Sequence, residues 1–336
     1  MPRMQSPIFI TAAVMFVVTH LSTTALFAGP RLLAEATIDL ESPVIHYRTA
    51  NIDKVDIFYR EAGPANGPVV LLLHGFPSSS RMFRNLIPAL ADKYHVIAPD
   101  YPGFGQSGSP DHTQFEYTFA HYTDLVDELI GKLGAKRYAL YGFDYGGPVA
   151  YRLALKHPDR VSGIIVQNGN AYEEGLPAFW NPMRAYWKDG SDAHRNAVAA
   201  VLEPEAVKAQ YTYGVKDPTR LDPENWSRDQ ALIDRPGNRE VQLDLFYDYR
   251  TNVALYPKFQ AYFREYQPRT LIVWGKNDQV FPLAGAESYL MDLPHAEYHW
   301  LDTGHFVLED KANEAIPLIR NFLDRNIEGT EAGNRS

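Results

Sequence analysis

The stretch Tyr141-Gly142-Phe143-Asp144-Tyr145-Gly146-Gly147-Pro148 sets one carboxylate among glycines, one two residues before it and two others two and three residues after. A β-rich run at 137–141 leads in and a helical run at 149–157 leads out. This spacing predicts a nucleophile elbow, in which the apical residue of a sharp strand-to-helix turn is held in a strained backbone conformation. Glycines are needed there because side chains would collide where strand and helix approach. Pro148 suits the first helical turn, where its missing N–H costs little. The usual apical residue is serine, and here it is Asp144. A carboxylate is a poor attacker of esters or amides, since it would form an anhydride. It suits displacement at a saturated carbon bearing a strained or activated leaving group, which gives an alkyl–enzyme ester that water must then break. The N-terminus of the following helix favours the ionised form. An N-cap aspartate without catalytic role is the plainer alternative, and the flanking glycines argue against it. The second step needs a base. His305 follows Gly304 just past the last strand pattern, and a neutral imidazole takes a proton from water near pH 7. His299 is close by but falls within the strand pattern itself.

The elements that must position these groups alternate along the chain. Residues 44–48 and 55–60 alternate apolar and polar side chains, as half-buried antiparallel strands do. Residues 69–73, 95–98, 163–167 and 270–274 are short apolar runs, as strands covered on both faces are. Helical spacing is present at 82–91, 119–133, 284–291 and 309–323. Strands alternating with helices predict a mostly parallel sheet with helices on both faces. From about 168 to 262 buried strands stop, and aromatics, prolines and charges interleave with short helical stretches, which reads as an inserted helical lid.

The 336 residues are 45% hydrophobic and 22% charged, enough for a full globular core. A net charge of −9 without a polybasic run argues against nucleic acid or an anionic membrane as partner. There is no cysteine, hence no disulfide, thiolate metal site or cysteine nucleophile. Arg3 precedes an uncharged run at 8–30, and Ala34-Glu35-Ala36 is an A-x-A cleavage-like site. Residues 1–36 therefore read as a secretory signal peptide, with a periplasmic or secreted product and no stable membrane span after cleavage. An earlier cut near Ala28, an uncleaved anchor and a non-targeting tail are the alternatives. The expected layout is a core in two parts, 37–167 and 263–325, around the lid at 168–262, with a flexible tail at 326–336.

His74-Gly75-Phe76-Pro77, the loop from Asp100 to Ser107, Gly142 to Gly147, Asp278 and Gly304-His305, in that order and strand context, resemble the α/β-hydrolase fold. Within it the chain is similar to the epoxide hydrolase and haloalkane dehalogenase branch, over nearly all of residues 44–325. The resemblance implies an eight-stranded-type sheet and a cofactor-independent hydrolase with a small apolar substrate. A homodimer is left open. It also implies a triad of Asp144, His305 and Asp278, the last orienting the imidazole. A turn aspartate is the plainer reading of Asp278. Some relatives place the acid one strand earlier, where this chain has Asn168 and Asn170, neither of which can be an anion. Backbone N–H groups of Phe76 and Tyr145 are expected to form the oxyanion hole.

The leaving group separates the sub-families. The resemblance implies that a dehalogenase would carry Trp after the nucleophile and often Asn after the His-Gly pair. Here Tyr145 and Phe76 stand there. Fluoroacetate-type dehalogenases place Arg after the nucleophile, which Tyr145 also replaces. An epoxide oxygen needs an acid protonated at neutral pH, which a tyrosine hydroxyl supplies. Tyr249, in Asp248-Tyr249-Arg250-Thr251-Asn252, resembles the lid tyrosine motif of epoxide hydrolases, with Tyr247 as the nearby alternative. Tyr186 is the candidate second tyrosine, with Tyr172, Tyr211 and Tyr213 behind it. Most of the 21 tyrosines must be packing residues. Trp180 or Trp187 could still donate to a halide. The expected activity is opening of epoxides to vicinal diols, with dehalogenation the alternative and a catalytically silent ligand-binding fold the alternative of another class. The G-x-G-x-x-G at 103–108 comes too late in the sheet for a dinucleotide site. His295 and His299 span a turn-to-strand boundary and do not make a helix-face zinc site. Asn225-Trp226-Ser227 is a glycosylation sequon.

Overall fold

The computed structural model describes residues 43–327; the expected signal peptide and most of the expected tail lie outside them. β1 (Ile45–Ile52) and β2 (Val55–Ala62) pair as an antiparallel hairpin, with Ile52 opposite Val55. The two-residue turn between them puts Asp53 and Lys54 at φ 44° and 66°. Such turns favour Asn-Gly or Asp-Gly, because both central residues must be left-handed. Asp53-Lys54 lacks the glycine, so the sequence shows no turn there and β1 extends four residues past the expected strand.

β3 (Val69–Leu73), α1 (Leu86–Leu90), β4 (His95–Pro99), α2 (Phe119–Lys132), β5 (Tyr138–Phe143), α3 (Gly146–Lys156) and β6 (Val161–Gln167) follow in alternation. Six helices then intervene before the sheet resumes: α4 (Asn181–Asp189), α5 (Asp192–Val198), α6 (Pro204–Thr212), α7 (Glu224–Ile233), α8 (Asn238–Asp248) and α9 (Arg250–Tyr266). β7 (Thr270–Gly275), α10 (Leu283–Asp292), β8 (Glu297–Leu301), α11 (Val307–Asp310) and α12 (Ala312–Asn326) complete the described chain. The single helix expected at 82–91 is a 3₁₀ turn, Ser80–Phe83, followed by α1. The one expected at 309–323 is interrupted at Lys311.

The sheet order is β1-β2-β4-β3-β5-β6-β7-β8, with β1, β2 and β4 antiparallel neighbours and the remaining pairs parallel. Its faces bury two separate apolar clusters, one containing Leu71, Leu140 and Trp274 and the other Leu72, Tyr141 and Val273. Adjacent residues of one strand thus serve opposite faces, as the period of two requires. The direction of the strand order reverses at β3, and the ends of β3 and β5 open side by side on the carboxyl edge. That is where doubly wound sheets carry their sites. Among the described residues no helix is long and apolar enough to cross a membrane.

Candidate active site

Asp144 follows β5 with φ 48°, a left-handed conformation for a residue carrying a side chain. Two glycines make that turn sterically feasible. A Cβ on Gly146 would lie 2.0 Å from the Leu73 carbonyl oxygen, and one on Gly75 would lie 2.3 Å from Asp144 Oδ1. The loop after β3 therefore closes directly on the carboxylate. The Phe76 N–H donates to Asp144 Oδ1 at 2.7 Å. Asp144 Oδ2 faces His305 Nε2 at 3.8 Å, beyond hydrogen-bond range.

His305 sits between β8 and α11 and is buried. Its Nδ1 bonds Asp278 Oδ2 at 2.7 Å, while Nε2 has no hydrogen-bond partner among the described residues. Asp278 follows β7. It accepts the Val280 N–H on Oδ1 at 2.7 Å and the Asn168 side-chain N–H on Oδ2 at 2.7 Å. Asn168, at the end of β6 with φ 44°, also accepts the Gly275 N–H at 3.0 Å. It cannot supply the charge, but it holds the residue that does.

Burial pushes the Asp144 carboxyl up to about 6. The His305 charge and the N–H groups of Phe76 and Tyr145 pull it back, and Asp278 raises it further. For His305, burial alone pushes the imidazole down. The Asp278 carboxylate, by charge and hydrogen bond, and the Asp144 charge outweigh that and leave it above its ordinary value. The two sites are coupled: an ionised Asp144 favours imidazolium, and an Asp144 without charge favours neutral imidazole. A carboxylate oxygen, an imidazole nitrogen and a backbone donor thus converge from the ends of three strands. The group can form an ester on Asp144 and activate water against it.

The remaining loops are closed on themselves. Asp100 accepts the N–H groups of Ser80 and Gln106, at 2.7 and 2.8 Å, which ties the glycine-containing loop at 103–108 to the 3₁₀ turn. His74 lies under that loop, accepting the Tyr101 N–H at 3.2 Å.

The sequence profile described as the alpha/beta hydrolase fold matches residues 68–312. The chain belongs to the α/β-hydrolase family. It is 46% identical to an uncharacterized hydrolase of Saccharomyces cerevisiae over 261 residues, covering 76% of this chain and 89% of that one. It is 30% identical to a cis-3-alkyl-4-alkyloxetan-2-one decarboxylase of Xanthomonas campestris over 292 residues, 80% of this chain and 92% of that one. It is 28% identical to haloalkane dehalogenase 2 of Mycobacterium tuberculosis over 284 residues, 79% and 91% of the two chains. The solved structure of epoxide hydrolase CorEH shares the fold with a TM-score of 0.68 at 22% identity, over 84% of this chain and 99% of that one. The protein is a hydrolase of the epoxide hydrolase and haloalkane dehalogenase branch.

The lid of this hydrolase closes a small cavity of about 40 Å³ over Asp144. Tyr249 lines it together with Phe76, Tyr145, Trp180, Gln210 and Phe246, among others. Tyr249 stands at the junction of α8 and α9, and its polar neighbours pin that junction from two sides. Asp248 accepts the first N–H of α2 from Phe119 at 2.8 Å, and Asn252 accepts from Arg152 of α3 at 2.8 Å. The ring packs edge-on against Phe119 and stacks parallel to Trp187. Its hydroxyl is 3.4 Å from that of Tyr256, which accepts from the Asn170 side chain at 3.1 Å. Burial raises the Tyr249 phenol well above its ordinary value, with the Tyr256 contact and the Asp144 charge adding to it, so it stays protonated.

Tyr186 is placed elsewhere. Its hydroxyl accepts from Arg195 at 3.0 Å, its ring packs on Tyr247, and it does not line the cavity. The other tyrosines weighed from sequence also do not line the cavity: Tyr172 donates to Asp292, Tyr211 to Asp229, Tyr247 lies under Arg250, and Tyr213 is exposed. Both indoles are committed too. Trp180 Nε1 donates to the Val280 carbonyl at 2.8 Å and Trp187 Nε1 to the Phe246 carbonyl at 2.6 Å. The sequon asparagine, Asn225, is buried and tied to Arg81 and Glu309, at 3.0 and 2.7 Å, so its side chain is not free to carry a glycan. Three residues that sequence reasoning did not single out for a role are Asn168, Tyr256 and Gln210. Tyr256 has a signal, since seven residues from Tyr249 is two helical turns on the same face. Gln210 has one as well: it is a polar residue on the buried stripe Val207, Gln210, Tyr211 of α6.

Proposed function

We propose that this hydrolase opens epoxides to vicinal diols through an ester on Asp144. The observation that carries the reading is the lining of the cavity above Asp144. A protonated phenol, Tyr249, faces it, while both lid indoles have their N–H groups donated to backbone carbonyls. A halide leaving from carbon needs N–H donors aimed at it; a strained ring oxygen needs one proton.

Asp144 Oδ2 attacks a ring carbon, the carbon–oxygen bond breaks, and the oxygen takes the Tyr249 proton. Esterification removes the Asp144 charge, which lowers the His305 proton affinity and leaves Nε2 free to take a proton from water. That water adds to the ester carbon, and the negative charge on Oδ1 falls on the N–H groups of Phe76 and Tyr145. The ester bond to Oδ2 then breaks, the diol leaves with that oxygen and a proton from His305, and water's oxygen stays on Asp144 with water's second proton, which passes to the Tyr249 phenolate and restores both groups. Asp278, fixed by Asn168 and the Val280 N–H, stabilises the transient imidazolium. The oxetan-2-one in the name of the Xanthomonas relative is also a strained ring with a carbon–oxygen bond at saturated carbon, which fits a carboxylate nucleophile.

The test is incubation with a styrene oxide and aliphatic epoxide panel beside matched bromoalkanes. Diol release without bromide supports the reading; bromide release without diol overturns it.

A further inference from the structure

The cavity has one amide side chain, which the chemistry above does not use. Gln210 lies on α6, is 92% buried, and lines the cavity among mostly apolar groups; its amide has no hydrogen-bond partner among the described residues. Its amide atoms are not sealed in the core and keep accessible surface, so they are open to a ligand. Val207 and Tyr211, its neighbours on the same face, are packed in the cores, and a leucine would satisfy that stripe without cost.

The placement says what the amide faces. The residues after Gln210 pack on the His305 side: Tyr211 stacks on Phe306 at 3.9 Å, and the Tyr213 carbonyl covers Gly304. Tyr249 instead packs on Phe119 and Tyr145, toward α2 and α3. The two polar groups therefore enter from different walls, with Asp144 below. A substrate with its ring oxygen at Tyr249 and a ring carbon at Asp144 Oδ2 directs its remaining substituent toward α6. An amide offers both a donor and an acceptor and no charge. Asp144 is the one charged side chain among the cavity's lining residues, so a carboxylate on the substituent would meet only repulsion.

We propose that Gln210 is a specificity residue that reads a neutral oxygen on the substrate substituent, so that the hydrolase prefers epoxides bearing an ether, hydroxyl or carbonyl oxygen near the ring over plain alkyl epoxides. This rests on the epoxide reading and narrows its substrate class.

The test uses a matched pair, ethyl glycidyl ether and 1,2-epoxyhexane, which differ by one oxygen in place of a methylene. The ratio of kcat/KM for ether over alkane is measured in the wild type and in Gln210→Met, whose side chain is similar in length and shape. One neutral hydrogen bond predicts a ratio about 3- to 10-fold higher in the wild type than in the variant. A packing role for Gln210 would lower both substrates together and leave the ratio unmoved, which overturns the proposal. The same ratio is read in binding from quenching of Trp180, using the unreactive diols 3-ethoxypropane-1,2-diol and hexane-1,2-diol. If the wild type releases diol from neither epoxide, the epoxide reading fails. The binding ratio then decides the role of Gln210 by itself: a shift of the same size sustains oxygen recognition, and an unchanged ratio removes it.

Discussion

Asp144→Asn should make the protein more stable while removing its activity. The carboxylate is buried, its proton affinity is raised from 3.8 to about 6, and desolvation is the leading cause. A carboxylate whose folded value is raised binds more protons in the folded than in the unfolded state between those two values. Stability therefore falls as pH rises through that window and stays reduced above it. About two pH units at 1.36 kcal/mol each give a destabilisation on the order of 3 kcal/mol at pH 8, falling to roughly half of that at pH 5 and toward zero below pH 4. Asparagine keeps an oxygen to accept the Phe76 N–H, tolerates the left-handed backbone and carries no charge, so the substitution isolates the charge. Urea unfolding of both proteins at pH 8 and pH 5 measures the difference directly. A variant equal to or less stable than wild type at pH 8, or a gain that does not shrink toward pH 5, would refute the reasoning.

Two further outcomes follow from the same site. Tyr249→Phe should slow ester formation about 100-fold or more in single-turnover experiments, within the range of general-acid assistance. Tyr186→Phe, whose hydroxyl is held by Arg195 outside the cavity, should change it less than about threefold; equal effects of the two would reassign the proton donor. The rate of ester formation, followed by rapid quench, should fall with acid as Asp144 takes a proton, with a midpoint of about 6. A midpoint near 4 would mean that burial does not raise this carboxyl.

The strand–turn–helix frame of the candidate site was legible because its geometry leaves marks on composition. An elbow needs small residues at set distances from Asp144, and parallel strands buried on both faces are continuous apolar runs, so strand, nucleophile and order could be read together. That His305 and Asp278 meet, at 2.7 Å, was legible for Asp278 only through the family resemblance, since its position alone reads equally as a turn aspartate. The lid was legible only as a change of pattern. Its residues reach the site through packing between helices distant in sequence, and no local spacing distinguishes a tyrosine facing the cavity, such as Tyr249, from one turned to Arg195, such as Tyr186. The indole question depended on where two N–H groups point, which the carbonyls of Val280 and Phe246 decide from another part of the chain. Asn168 looked disqualified because it has no charge, yet it acts on the charge of its neighbour. The hairpin turn at Asp53-Lys54 was missed because its backbone conformation is imposed by the strands on residues that do not advertise it.

The Phe76 N–H holds Asp144 Oδ1 before any substrate arrives, and this makes the two carboxylate oxygens inequivalent. One is pinned in the anion site; the other faces the imidazole and the cavity. In the proposed cycle Oδ1 is in turn a carboxylate oxygen, an ester carbonyl and an oxyanion without leaving its donor, while Oδ2 departs with each product. Water's oxygen then takes the place just vacated and is the next to be handed on. In ¹⁸O-water such a pinned carboxylate gives an unlabelled first product and fully labelled ones from the second turnover. A carboxylate free to flip would mix its oxygens and label the product gradually. The enzyme would thus carry a memory of one turnover, stored in a single atom and protected by one hydrogen bond.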